Sequence, residues 1–240
     1  MKHSMASLKD AKDYLLELPV QLEKYLDEAH RKALDQLVQA FEQFFDVVAS
    51  INIQAKEDQI ISGREATDIG DHGFILLLKL IDLMDRLDLP HRRKEIEQIS
   101  LIFARWILRY SGRINHLEPV VNAFAQLANL MRDKTSLKSL SELMSKVVDG
   151  CSLEIKRDLD EKNQLRPWRL LHLNRGIVAT RTYDLDIMKK AFDELLIYLP
   201  EEAPEFFNEG MKEMDELDYP SHVRELMEFY HSQKPEVRVH

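Results

Sequence analysis

The hydrophobic residues of this chain recur with a helical period over most of its length. Between Leu22 and Val48, apolar residues return about every 3.6 positions with charged residues between them, which predicts a helix of about 30 residues that ends near Ser50. A shorter helix over Leu8–Leu18, interrupted at Pro19, precedes it. Strand-like alternation is almost absent, and glycine (7) and proline (8) are scarce, so we predict an all-α fold.

After residue 73 the periodic segments come in pairs joined by short turns. We predict four helical hairpins: Phe74–Leu87 with His91–Tyr110, Leu117–Met131 with Ser136–Val148, Pro167–Thr180 with Asp184–Leu199, and Pro204–Leu217 with Ser221–Ser232. For the segment 152–163, between the second and third hairpins, we predict a mixed-charge helix of two to three turns, polar enough to be a linker or an irregular insertion. We expect residues 1–50 to pack on or cap the repeats, and residues 234–240 to form a tail.

The stretch 51–73 lacks clean periodicity and contains three of the seven glycines. We predict a loop or linker there. Its Asp68, Asp71 and His72 offer oxygen and nitrogen ligands for a metal ion, whereas the alternative is a linker whose aspartates cap helices. A lysine in the Walker position does not follow the glycines, so a phosphate-binding loop is not indicated.

The clearest internal repeat is the quartet Leu173–Gly176 (Leu-Asn-Arg-Gly), which returns 34 residues later as Phe207–Gly210 (Phe-Asn-Glu-Gly). Together with Pro204 before it, and Asp218-Tyr219, Leu226 and Pro235 after it, this pattern resembles the tetratricopeptide repeat. In that family a glycine of the first helix lets the second helix cross closely. The chain departs from the family pattern at Glu209, where a leucine is usual, and at Lys79-Leu80 in the first hairpin, where Leu-Gly is usual.

The resemblance implies an α-α superhelix of about four hairpins over residues 74–233, capped by the long N-terminal helix; the alternative is an irregular helical bundle. The first helices of the hairpins would then line a concave groove. Projected onto this chain, the groove residues are Asn122, Gln126, Asn129, Arg132, Leu173, Asn174, Ile177, Arg181, Phe207, Asn208, Met211 and Asp215. In the family, such asparagines often hydrogen-bond the backbone of an extended peptide.

The overall charge narrows the range of partners. A formal net charge of −9 and a pI near 5.5 disfavour nonspecific binding to nucleic acid or to an anionic membrane. Apolar runs stay shorter than the roughly 20 residues of a membrane span, and the N-terminus lacks the apolar core of a signal peptide. We therefore expect a cytoplasmic protein with a protein or peptide partner, and no nucleic-acid or membrane partner.

Two further features bear on chemistry. The single cysteine, Cys151, excludes an intrachain disulfide and a cysteine-based zinc site. The largest basic excess is a segment that also contains two aromatic rings: Arg166, Trp168, Arg169, His172, Arg175 and Arg181. It could receive a carboxylate or a phosphate; the alternative is ion pairing with the acidic segment 154–161 or with the acidic last hairpin.

These observations leave three hypotheses for function. The first is a protein- or peptide-binding helical-repeat module without catalytic activity of its own. The second is an enzyme or metal-binding protein that combines the 62–73 loop with His116 or His172. The third is a structural homodimer that pairs through the aromatic end of the N-terminal helix. Recognisable catalytic and cofactor motifs are missing, so we predict no cofactor and leave enzymatic activity open.

Overall fold

The computed structural model describes residues 7–55, 61–160 and 162–233, and most of these residues are helical. The helices are α1 (Leu8–Gln21), α2 (Glu28–Gln54), α3 (Gly63–Arg86), α4 (Pro90–Arg109), α5 (Glu118–Leu130), α6 (Lys134–Gly150), α7 (Leu153–Lys156), α8 (Pro167–Thr182), α9 (Leu185–Tyr198), α10 (Ala203–Glu216) and α11 (Ser221–Ser232). Within the described ranges, extended pairing is limited to an isolated bridge between Ile114 and Cys151. The predicted all-α fold is confirmed.

The chain divides into two compact units. The first unit comprises Met1–Gln126 and Asp149–Arg157, and the second comprises Leu127–Val148 and Asp158–His240. The divisions fall within α5 and α6, so both helices contribute to both units. The boundary expected at residue 73 instead lies inside α3. The predicted tail, 234–240, lies outside the described residues.

The N-terminal helices begin and end at other residues than predicted. Helix α1 continues through Pro19 to Gln21, although Pro19 has no N–H to donate to the carbonyl of Leu15. The chain then breaks at a short 3-10 turn, Glu23–Tyr25. Asp27 caps the N-terminus of the next helix, α2, by accepting a hydrogen bond from the His30 N–H at 2.8 Å. The single long helix predicted from Leu22 is therefore wrong at its start, and α2 runs from Glu28 to Gln54.

The aromatic end of α2 packs inside the first unit. Phe41, Phe44 and Phe45 are all buried, and the Phe44 ring centroid lies 5.0 Å from that of Phe103 on α4. Aromatic rings packed in this way contribute both buried area and edge-to-face contacts. Because these rings are already covered by their own chain, they do not supply the surface that the homodimer hypothesis required.

The prediction of a loop over 51–73 is wrong for residues 63–73, which form the first turns of α3. Ser62 caps this helix in a capping box: its Oγ accepts from the Glu65 N–H at 3.2 Å, and the Glu65 carboxylate accepts from the Ser62 N–H at 2.8 Å. The glycines serve close packing. A Cβ on Gly70 would lie 2.3 Å from Ile107, and one on Gly73 would lie 2.6 Å from Phe44.

In the second unit, α8 to α11 share one hydrophobic core. Phe192 on α9 stands near its centre, with ring centroids 5.2 Å from both Phe207 and Tyr230. Positions related by the repeat also meet, since the Tyr183 and Tyr219 centroids lie 5.5 Å apart. These hairpins are compatible with a helical repeat.

The two glycines of the repeat, Gly176 and Gly210, pack against different helices. A Cβ on Gly210 would lie 2.8 Å from Met227 on α11, the second helix of the same hairpin, as expected from the resemblance. A Cβ on Gly176 would instead lie 2.6 Å from Phe206 on α10, the first helix of the next hairpin. Gly176 therefore serves the packing between hairpins rather than within one.

Candidate functional site

Helix α8 buries polar side chains together with apolar ones. A surface helix normally buries apolar residues and exposes polar ones. Along α8 the buried side contains apolar residues such as Trp168 and Leu171 but also His172 and Arg175, whereas Ile177 is 49% exposed. The outward residues follow helical spacing on one side, and we call them the α8 strip: Leu170, Leu173, Asn174, Ile177 and Arg181. Four of the five are the α8 residues that the repeat register predicted.

Ion pairs satisfy the buried arginines. Arg175, 1% exposed, donates through Nη1 to the Glu194 carboxylate and through Nε to Ser145 Oγ at 3.0 Å. Arg166 donates to Asp158 at 2.7 Å and also pairs with Glu202. Asp158 and Glu202 lie where the ion-pair alternative expected acidic partners. These guanidinium groups are therefore occupied within the chain rather than free to receive an external anion.

His172 lies in an aromatic pocket beside Arg175. Its ring centroid is 4.4 Å from Trp168 and 5.1 Å from Tyr198, and neither ring nitrogen has a hydrogen-bond partner among the described residues. Burial, together with the positive charge of Arg175, lowers the pKa of His172 to about 3. The imidazole is therefore neutral at physiological pH, which does not suit the acid–base role that the enzyme hypothesis would give it.

One border of the α8 strip is the C-terminal end of α5. Arg181 donates to the carbonyl oxygens of Ala128 and Met131, both at 2.7 Å. A cation here satisfies unpaired carbonyls and interacts favourably with the negative end of the helix dipole. This contact places the exposed residues Asn129 and Leu130 next to the strip. Arg181 is therefore a structural residue at the border of the predicted groove.

The other border of the strip is one side of α10. Glu202, Phe206, Glu209 and Glu213 are spaced by four, three and four residues, so they share a side of the chain segment that forms this helix. Glu202 pairs with the arginines at the start of α8, and Phe206 lies against Gly176. This side therefore faces α8. We call the two exposed residues that follow Phe206 along it, Glu209 and Glu213, the α10 edge.

The remaining predicted groove residues of α10 have different surroundings. Phe207 is 1% exposed and belongs to the core, so the prediction that it lines an open groove is wrong. The reason is that α9 and α11 cover this position, which corresponds to the half-exposed Leu173 of α8. Asn208 is exposed, Met211 packs partly against the core, and Asp215 pairs with Arg224 at 2.8 Å.

Two predicted groove residues of the first unit hold a buried carboxylate. Glu97 on α4 is 3% exposed and accepts hydrogen bonds from Asn122 at 3.0 Å, Gln126 at 2.6 Å and Arg93 at 3.1 Å. Three donors compensate for burying the charge. Asn122 and Gln126 thus direct their amides at Glu97 instead of a partner, while Arg132 is exposed. The sequence signal for this network is Glu97 within the apolar stripe of α4.

The metal candidates lie on α3. Asp68 and His72 are exposed, while Asp71 accepts a hydrogen bond from the Asn115 amide at 2.7 Å. The structure also brings His116 near, with Nε2 3.9 Å from the Asp71 carboxylate. Over the described ranges, no three histidine, cysteine, aspartate or glutamate side chains form a group that could hold a metal ion.

Cys151 is 1% exposed, and burial raises the pKa of its thiol to about 12, with Lys156 acting weakly in the opposite direction. A buried protonated thiol is a poor nucleophile. The sequence did not reveal how deeply it is buried, because the bridge that covers it joins Cys151 to the distant Ile114.

Comparison of the chain with protein-family models, with curated proteins and with solved structures found no match. The tetratricopeptide resemblance therefore rests on the residues quoted above, and the hairpins are compatible with it. Separately, in the part of the chain that the structure describes, the helices are too short or too polar to cross a membrane.

Proposed function

We propose that this chain is a protein- or peptide-binding helical-repeat module that holds a segment of its partner against the α8 strip. The observation that carries the proposal is the exposed side of α8, where Ile177 is 49% exposed although the same helix buries His172 and Arg175. Covering a half-exposed aliphatic side chain stabilises a complex by about 1 kcal/mol. Ile177 is such a side chain, and the partly buried Leu170 and Leu173 lie in the same row.

The strip also carries polar groups suited to a peptide backbone. Asn174 is half-buried on the strip, and Asn208 is exposed one repeat later on α10. An asparagine amide both donates and accepts hydrogen bonds, so it can pair with the N–H and C=O of an extended segment. The tetratricopeptide resemblance implies the same use of asparagines at these positions. The proposed role is therefore aliphatic anchoring assisted by backbone hydrogen bonds.

The test uses a phage-displayed library of short random peptides, selected on the immobilised full-length protein. Ile177→Arg places a charge in the strip, and Val47→Arg is its matched control, because Val47 is a β-branched residue of α2 that is 48% exposed. We expect peptides enriched by the wild-type protein to bind Val47→Arg equally and Ile177→Arg about tenfold more weakly. Fluorescence anisotropy measures the affinities, and circular dichroism checks that both variants fold.

A second variant tests the backbone contacts. Replacing both Asn174 and Asn208 with alanine leaves the aliphatic row intact, so the variant should fold normally and bind the selected peptides more weakly. If the wild-type protein enriches no peptides, or if Ile177→Arg binds them as tightly as the control does, the proposed function is wrong.

A further inference from the structure

We infer that the partner segment is basic: it places a lysine or arginine beside the aliphatic side chain that covers Ile177. This inference rests on the proposed function and adds the chemistry of the partner. The observation behind it is the α10 edge, Glu209 and Glu213. These two exposed residues lie on the same side of α10 as Phe206, which packs against Gly176 of α8.

The relative direction of α8 and α10 fixes where these carboxylates lie. Glu202, just before α10, meets arginines at the start of α8, and Phe206, further along α10, meets Gly176, further along α8. The two helices therefore run in the same direction. At a rise of about 1.5 Å per residue, Glu209 stands about 4.5 Å and Glu213 about 10 Å beyond Phe206 along α10. Both carboxylates thus flank the half of α8 that presents Ile177.

Basic residues are few along α10 and α11, and the cation of the α8 strip, Arg181, donates to carbonyl oxygens at the end of α5. Residues 201–228 contain ten acidic residues and two basic ones. Glu202 is already paired with arginines of α8, and Glu209 pairs with Lys212 at 2.5 Å. The Glu213 side chain is exposed and has no ion pair within the described ranges. A cationic group of a partner would therefore meet one unpaired carboxylate and one that is shared with a flexible, exposed lysine.

A basic extended peptide matches this spacing. Alternate side chains of an extended segment point to the same side and lie about 7 Å apart. When an aliphatic residue covers Ile177, the residues two positions before and after it point to the same side. A lysine or arginine at one of these positions is long enough to reach Glu209 or Glu213. An acidic segment or a nucleic-acid backbone would be repelled from the same edge. Because the edge is exposed, its attraction should fall as salt is added.

The experiment compares two double substitutions with a peptide selected from the random library. Glu209→Lys with Glu213→Lys reverses the α10 edge, whereas Glu225→Lys with Glu228→Lys reverses two exposed carboxylates on α11. Both variants change the formal net charge equally, so long-range effects are matched. We expect the α10 variant to bind the peptide about tenfold more weakly and the α11 variant to bind within about twofold of wild type. We also expect selected peptides to be more basic than the unselected library.

The outcomes separate this inference from the proposed function. If peptides depend on Ile177 but are no more basic than the library, the inference is wrong and the proposed function stands. Equal loss of binding in both charge variants would trace the effect to net charge and overturn the role of the α10 edge. If no peptide depends on Ile177, both the proposed function and the inference fail.

Discussion

Acidification should destabilise the second unit through His172. In the unfolded chain a histidine titrates near pH 6.5, whereas burial beside Arg175 lowers the pKa of His172 to about 3 in the folded protein. Between these values the unfolded state binds a proton that the folded state does not. The free energy of unfolding therefore decreases as the pH falls through this window, by about 1.4 kcal/mol per pH unit, and is unaffected by this group above about pH 7.

The magnitude follows from this window. At about pH 5 the wild-type protein should have lost about 2 kcal/mol of stability through His172 alone. His172→Phe keeps an aromatic ring in the pocket formed by Trp168 and Tyr198 but cannot take up a proton. It also removes two ring nitrogens that lack partners among the described residues. The variant should therefore match or exceed wild-type stability at neutral pH and should gain relative to it as the pH falls.

Guanidinium unfolding at about pH 7.5 and about pH 5 measures the effect. In a Trp106→Phe background, the fluorescence of Trp168 reports the second unit, since these are the two tryptophans of the chain. The stability difference between His172→Phe and its parent should grow by about 2 kcal/mol at the lower pH. The control variant is His231→Gln, which removes an exposed imidazole on α11. A pH dependence that survives His172→Phe would refute the reasoning.

Three further predictions concern packing, charge and reactivity. Gly63→Ala should destabilise the protein by about 2 kcal/mol, because the new Cβ would lie 2.5 Å from the backbone oxygen of Ser111. Gly210→Ala should stay within about 1 kcal/mol of wild type, because its Cβ would contact only the flexible end of the Met227 side chain. Thermal unfolding of the two variants compares them. Arg175→Met should lower the free energy of unfolding by about 3 kcal/mol, because it leaves Glu194 without its partner. Glu194→Gln should cost less in the Arg175→Met background than in the wild-type protein. Additive costs in this double-mutant cycle would contradict the buried pair. Cys151 should react with a thiol reagent only after unfolding, so rapid labelling of the native protein would show that the thiol is accessible.

The helical period alone was sufficient to predict the fold class. Buried residues of α3, α9 and α11 follow the 3.6-residue spacing because each helix has one side against the core, whereas α4 is buried on every side between Ile99 and Ala104. The prediction that Asn174 and Ile177 lie on the open side of α8 came instead from the register of the repeat resemblance. Helix formation and the side of a helix that packs on the core depend on residues within a few turns, so a local sequence pattern is sufficient to predict them.

The error at 63–73 has a local and a distant cause. Ser62 and Glu65 form a capping-box pattern that marks the start of a helix, and this signal was available in the sequence. The glycines obscured it, since glycine is common both in turns and where helices approach closely. What distinguishes the two uses is the neighbour: Gly70 meets Ile107 and Gly73 meets Phe44, residues far away in the chain.

The hydrogen-bond partners of the polar side chains also depend on residues that are far away in the chain. Gln126 has the composition and the helical register of a groove residue, yet its amide donates to the buried Glu97. Arg181 likewise donates to the end of α5 instead of to a partner. A polar side chain bonds to whichever group packing brings within about 3 Å, and a sequence pattern does not specify that group.

By itself, the sequence determined that this chain is helical and where most helices lie, because these depend on the spacing of apolar residues along a helix. The tertiary structure decided that α8 buries His172 and Arg175, that Phe207 is core, and that Phe206 of α10 lies against Gly176 of α8. Those features depend on which helices meet. Contacts between residues far apart in the chain are set by the packing of the whole unit rather than by any local pattern.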